Sequence, residues 1–217
     1  WKLHDRSIYL DELLRHDGRA GESLCSFCED DDGLYKCKEC FSGHLHCQAC
    51  IVQRHSSHSL HRIEKWNGFF FVRTSLRDLG MTVYLGHQGK PCPFLGQVLD
   101  RFTVVHTNGI HTVKIQLCSC HSDRLHAKFQ LLQCSWLPAT TEDPQTAFTF
   151  DVLDSYLLLS LQGKVSREDY YISISHHTDN TGLDPPKVRN LYSVQMFYAD
   201  FTKDRYTEFL HTVRIWL

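Results

Sequence analysis

The sequence predicts an α+β fold in which a metal-stapled knuckle precedes a small β-hairpin and sheet region and a helical C-terminal part. Three observations carry that reading. Three CxxC pairs and a histidine cluster stand within residues 25–61, a hairpin signal spans 102–117, and apolar or amphipathic helical stretches fill much of 149–216. The chain reads as four segments: a helix within 1–21, a double zinc knuckle over 22–65, a β-rich region over 66–140 and a helical region over 141–217.

In the first segment, Ile8, Leu10, Leu13 and Leu14 form an apolar stripe that suits a packing helix over 6–16, and Gly18 is a stop signal.

The knuckle reads Cys25-Ser-Phe-Cys28, Cys37-Lys-Glu-Cys40, Cys47-Gln-Ala-Cys50, then His55-Ser-Ser-His58-Ser-Leu-His61. A CxxC pair lets two thiolates reach one ion from a tight turn. Four pairs supply eight ligands, enough to close two tetrahedral zinc sites. Disulfides would need an oxidising compartment and would leave the histidines without a role. A segment this short cannot bury a sufficient core, so metal must stabilise it. Asp30-Asp31-Asp32-Gly33 reads as a turn, Leu34-Tyr35-Lys36 as a short strand and residues 50–58 as a helix. Two wirings fit the spacing. In a sequential one, the first two pairs share an ion and the last two share another. In a cross-brace, Cys25 and Cys28 join Cys47 and Cys50, while Cys37 and Cys40 join His55 and either His58 or His61. The order CxxC, CxxC, CxxC, HxxH resembles the B-box, a cross-braced zinc module of tripartite-motif proteins, and that resemblance favours the cross-brace.

Beyond Trp66, residues 69–73 and 82–85 combine aromatic and β-branched residues as strands do. Residues 102–107 and 110–117 flank Asn108-Gly109, the signature of a type I′ turn, and Val113, Ile115 and Leu117 alternate like a half-buried strand. That strand runs into Cys118-Ser-Cys120. With His87 and Cys92 from the preceding loop, this CxC pair makes a third candidate zinc tetrad, and His121 and His126 are spare ligands. Cys134 reads as a buried apolar thiol. Residues 149–162 are apolar enough for a central core helix, Ser166 with Asp169 opens a helix over 167–177, and Asp179-Asn180-Thr181-Gly182 ends it. A last helix over 204–216 aligns Tyr206, Phe209, Leu210, Val213 and Trp216.

Composition narrows function. The chain has 217 residues, 42% hydrophobic, with no apolar run approaching the ~20 residues of a membrane span. It begins at Trp1 and reads as a fragment. A formal net charge of −2 argues against strong non-specific nucleic-acid binding over the whole surface. Locally, Arg54, Arg62, Lys65, Arg73 and Arg77 surround Trp66, Phe69, Phe70 and Phe71, either as a phosphate-contacting face or as a solvated rim over an aromatic strand. Asp78, Asp100, Asp151, Asp154 and Asp179 show no partnered acid or base at defined spacing, so no catalytic site is expected.

Several further strings carry a wider resemblance: Tyr9-Leu10-Asp11-Glu12-Leu13-Leu14, Leu60-His61-Arg62-Ile63-Glu64-Lys65-Trp66-Asn67-Gly68, Asp78-Leu79-Gly80, Leu85-Gly86-His87, Asn108-Gly109-Ile110-His111, Pro138-Ala139-Thr140, Leu161-Gln162-Gly163-Lys164-Val165-Ser166 and Arg205-Tyr206. Together with the cysteine pairs, they make nearly the whole chain similar to the cysteine-cluster region of Kyakuja-Dileera-Zisupton (KDZ) transposases of fungi. The resemblance implies a zinc-binding, non-catalytic N-terminal region with a ribonuclease-H-like catalytic domain farther downstream. It also implies a nuclear, intracellular location and places a ligand histidine at His61. The implied partners are transposon DNA or transposase subunits, with no small-molecule substrate. A B-box-like self-association module and a degenerate transposon remnant are the alternatives. Residues 188–203 interrupt the resemblance and read as an insertion compatible with a retained intron.

Overall fold

The computed structural model describes residues 3–19, 21–120, 126–179 and 199–216, and the chain divides into two compact units, Trp1–Met81 and Thr82–Leu217. Among the described residues the architecture is mixed α+β, with six α-helices and two sheets.

In the first unit, helix α1 (Leu3–Asp17) ends where the Gly18 N–H donates to the carbonyls of Leu14 and Arg15. Its stripe does not pack as the sequence suggests: Ile8, Leu10, Leu13 and Leu14 are all more than half exposed. Helical periodicity marks a face made for contact, but it cannot say whether the contact lies within the chain or outside it. At its C-terminal end α1 is tied down, because the His16 carbonyl accepts a hydrogen bond from the buried Lys36 Nζ at 3.1 Å. Strands β1 (Tyr35–Cys37), β2 (Ile63–Trp66) and β3 (Phe71–Thr74) form an antiparallel sheet in that order. In this register Cys37 faces Ile63 and Glu64 faces Arg73. Helix α2 (Gln48–Arg54) is shorter than the expected 50–58 and stops before the histidine cluster. Gly33 is required by close approach: a Cβ there would lie 2.6 Å from the Leu24 carbonyl oxygen and 2.8 Å from Leu45 Cβ.

The second unit holds a five-stranded sheet of order β4-β6-β5-β8-β7, made by β4 (Val83–Tyr84), β5 (Leu95–His106), β6 (Gly109–Cys118), β7 (Trp136–Pro138) and β8 (Thr146–Thr149). The long hairpin β5–β6 is present, but its turn is displaced by one residue from the expected position. His106 pairs with Gly109, so Thr107 and Asn108 are the loop residues, and the positive φ of 139° falls on Gly109. That glycine is held by its neighbour as much as by the turn: an added Cβ would sit 2.9 Å from Thr178 Oγ1, which also accepts from the Ile110 N–H.

Helices α4 (Phe150–Gly163), α5 (Arg167–Thr178) and α6 (Ala199–Trp216) pack their apolar sides around Phe148, Val152, Leu153, Tyr156, Tyr170 and Phe209. The expected cap forms, with Ser166 Oγ accepting from the Asp169 N–H, and Thr149 Oγ1 likewise caps α4 by accepting from the Val152 N–H. The expectation of a helix central to the core holds for one side of α4, where Val152, Leu153 and Tyr156 are buried. Leu158, Leu159 and Leu161 are exposed, because one side of α4 lies on the core and the other faces out. Helix α3 (Ala127–Gln133) and strands β7 and β8 are short elements beyond those expected from the sequence. Of the segment 188–203, residues 188–198 lie outside the described residues, and 199–203 belong to the backbone of α6.

Replacing Gly109 with alanine should destabilise the protein by about 1–3 kcal/mol through backbone strain and the clash with Thr178. A thermal melt of Gly109→Ala superimposable on that of the parent would refute this account of the turn.

Candidate metal centres

Three clusters of cysteine and histidine form among the described residues, each with its ligand atoms within 4.8 Å of one another, and each could hold a metal ion. They are Cys25, Cys28, Cys47 and Cys50; Cys37, Cys40, His55 and His61; and His87, Cys92, Cys118 and Cys120. In the knuckle the first CxxC pair therefore meets the third, and the second meets the histidines, which is the interleaved arrangement. His61 enters the second cluster. His58 stays exposed outside it, its Nδ1 3.0 Å from Ser57 Oγ.

Local backbone explains how each cluster assembles. In the first, Glu29 takes a left-handed φ of 61° and donates its N–H to the Cys25 carbonyl, so the chain doubles back and turns both thiols of the pair the same way. Cys47 caps α2 and Cys50 lies in its first turn, which aims the partner pair into the same buried space. In the second cluster, His55 follows the last residue of α2, and its Nδ1–H donates to the Ile51 carbonyl at 2.7 Å. That bond fixes the tautomer and leaves the Nε2 lone pair aimed at Cys40 Sγ, 3.4 Å away. Burial holds the pKa of both His55 and His61 below the ordinary histidine value, which favours the neutral ring that a metal ion needs. Glu39, inside the second CxxC pair, accepts from the Arg62 backbone N–H at 2.7 Å and from its guanidinium, locking the loop against the start of β2 beside His61.

In the third cluster, Gly86 at φ 84° lets the chain pass close to the end of β6, where a Cβ would stand 3.1 Å from Cys118 Cβ. His87 follows in the short 3-10 turn His87–Gly89, and Cys92 is buried. Gln130, on α3 and only 3% exposed, clamps the peptide groups of Cys118. Its Oε1 accepts from the Cys118 N–H at 2.8 Å and its Nε2 donates to the Cys118 carbonyl at 2.9 Å.

The spacings suit a tetrahedral ion. Zinc bonds of about 2.3 Å to sulfur and about 2.0–2.1 Å to nitrogen set ligand edges of about 3.8 Å for S···S and about 3.6 Å for S···N. Cys28 and Cys47 sulfurs are 3.9 Å apart, Cys37 Sγ and Cys40 Sγ lie 3.4 and 3.6 Å from His61 Nδ1, and the third cluster is slightly tighter, at 3.1–3.5 Å. No cysteine is in a disulfide. Without a cation such clusters cannot ionise together. Burial raises the Cys25 thiol, but N–H groups of Cys28, Cys47 and Phe27 outweigh it and bring it to about 6. Its neighbour Cys50 is pushed to about 12, first by the Cys47 thiol and then by burial. Burial likewise lifts Cys37 to about 12. A dication would remove this conflict by supplying the positive charge that the thiol protons carried, so metal uptake at neutral pH releases those protons to solvent.

The remaining expected site residues are placed as follows. Arg54 lies over the Phe27 ring at 5.2 Å, Arg62 pairs with Glu39, Lys65 sits over Tyr35 at 5.7 Å and Arg73 faces Glu64 across β2–β3. His126 is exposed at the cap of α3, and His121 lies outside the described residues. Cys134 is exposed rather than buried, standing at the cap position where α3 ends. Gln130 carried no sequence signal, since a polar residue that grips a ligand's backbone has no fixed spacing to that ligand.

The segment carrying the third cluster is recognisable by comparison. Residues 76–182 match the family model of the CxC2-like cysteine cluster associated with KDZ transposases. The expected KDZ association holds over that stretch. It contains His87, Cys92, Cys118, Cys120 and Gln130, while the knuckle at 25–61 lies before it. Neither the curated proteins nor the solved structures provide a match.

Two expectations follow from this geometry. Cys37→Ser and His61→Ala should each remove the same ion from purified protein, whereas His58→Ala should leave the metal content unchanged; ion counts for the single and double variants check this. Gln130→Ala should weaken the third ion by about 10–100-fold in a chelator competition, as loss of an outer-shell partner does, and should leave the other two ions in place.

Proposed function

We propose that this chain is a zinc-stapled, non-catalytic module of a KDZ-type transposase that engages transposon DNA and helps position a catalytic domain carried elsewhere. The observation that carries the reading is the combination of three ligand tetrads with the CxC2-like match over 76–182. Zinc is the metal of choice because the donor set is thiolate and imidazole in tetrahedral spacing, which suits a soft structural ion. The interleaved knuckle is then B-box-like in wiring. A nuclear location accompanies this role.

The acidic residues support a structural part for this chain. Asp78 bonds Ser75 and Arg77 in a turn, and Asp154 accepts from Trp216 Nε1 at 3.1 Å. A second reading, assembly with another copy or another transposase subunit, is favoured by the exposed stripe of Ile8, Leu10, Leu13 and Leu14 on α1.

Zinc-loaded protein should bind duplex DNA from transposon ends with an affinity that falls linearly in log salt, because phosphate contacts release counterions. Fluorescence anisotropy across a salt series measures this. Salt-independent binding, or none, would contradict the DNA role and leave the assembly reading.

A further inference from the structure

The tip of the β2–β3 hairpin places two large aromatic side chains in solvent: Phe69 is 87% exposed and Phe70 60%. Their exposure is built in rather than incidental to a loose loop. Asn67 Oδ1 accepts from the N–H groups of both Phe69 and Phe70 at 2.9 Å, and the Asn67 N–H donates to the Phe70 carbonyl at 3.1 Å. Gly68 takes the left-handed φ of 106° that closes the turn. Beneath the tip, Trp66 and Phe71 stack edge to face at 5.0 Å, and Lys36 Nζ lies 4.0 Å from the Phe71 ring centre. The stem is therefore rigid and the two tip rings project from it.

Charge selects the partner. Residues 35–40 and 62–74 carry five cations, Lys36, Lys38, Arg62, Lys65 and Arg73, against two carboxylates, Glu39 and Glu64, a net of +3 on a chain whose total is −2. Both carboxylates are engaged with cations of the same sheet, Glu39 with Arg62 and Glu64 with Lys36 and Lys38. Lys65 and Arg73 are exposed on the strands that lead to and from the tip. A cationic stem with two presented rings complements a polyanion with stackable bases, whereas an apolar protein groove would gain nothing from the cations.

We infer that the β2–β3 hairpin is a DNA wedge, in which Phe69 and Phe70 enter between base steps while Lys65 and Arg73 hold the flanking phosphates. This rests on the proposal that the chain binds DNA, and it locates that contact outside the family-matched segment. Because both rings are exposed, replacing them leaves the metal centres and the fold intact.

The test uses the full zinc-loaded chain and a mixed-sequence duplex of about 30 base pairs carrying 2-aminopurine, whose fluorescence rises when a base is unstacked. Wild type should bind and raise the fluorescence. Phe69→Ala/Phe70→Ala should bind about tenfold more weakly or worse and lose the fluorescence rise, with an unchanged salt slope. Lys65→Ala/Arg73→Ala should instead lower the slope of log affinity against log salt by about two. Wild-type binding that the double phenylalanine variant reproduces, in affinity and fluorescence, overturns the wedge while leaving the DNA role standing. Failure of wild type to bind any duplex overturns both. If the variant loses a self-associated state in light scattering while its DNA binding is unchanged, the tip serves a protein contact and the wedge is likewise overturned.

Discussion

Thiolates brought within van der Waals contact of one another repel when ionised and are poorly solvated when buried, and a bound dication is what makes such a cluster stable. Everything in residues 25–61 depends on that constraint. Cys25 and Cys28 share a centre with Cys47 and Cys50, while Cys37, Cys40, His55 and His61 form the other, so each centre spans the ligands of its neighbour. The apolar core beneath is small, with Ile51 and Ile63 among its few fully buried side chains. Metal held there would take the part that hydrophobic burial takes in larger domains. The short sheet β1-β2-β3 is anchored at Cys37, a residue that is both strand and ligand, so its register and the second centre are set together.

The third centre works differently. Its ligands come from the turn after β4, the loop before β5 and the end of β6, on a unit that already has a substantial aromatic and aliphatic core around Phe148 and Phe209. There an ion would fix one end of a sheet rather than replace a core, and the protein contributes the Gln130 clamp to hold Cys118 in place. The two kinds of centre divide along the compact units of the chain, and only the second kind lies in the CxC2-like segment.

Regular spacing is why the ligand clusters were legible in the sequence. CxxC pairs and the CxC pair announce themselves at fixed intervals, and the helix cap at Ser166 follows an equally local rule. Contacts that depend on what lies across space were not legible. The stripe on α1 has the right period for burial yet faces solvent, and Leu158, Leu159 and Leu161 do the same on α4. Asn108-Gly109 signalled a hairpin correctly but not its register: Thr107 and Asn108 fill the turn, and Gly109 lies against Thr178. Strand β8, only four residues long, is buried throughout beside β5. It carries no alternation for the eye to find, since both of its faces are covered.

Zinc K-edge absorption of the zinc-loaded protein tests the central claim most directly. The three clusters contain nine thiolates and three imidazoles. The account therefore predicts an average first shell of about three sulfurs at about 2.3 Å and one nitrogen at about 2.0 Å per ion. A shell dominated by oxygen and nitrogen, or one with two sulfurs or fewer per zinc, would contradict it.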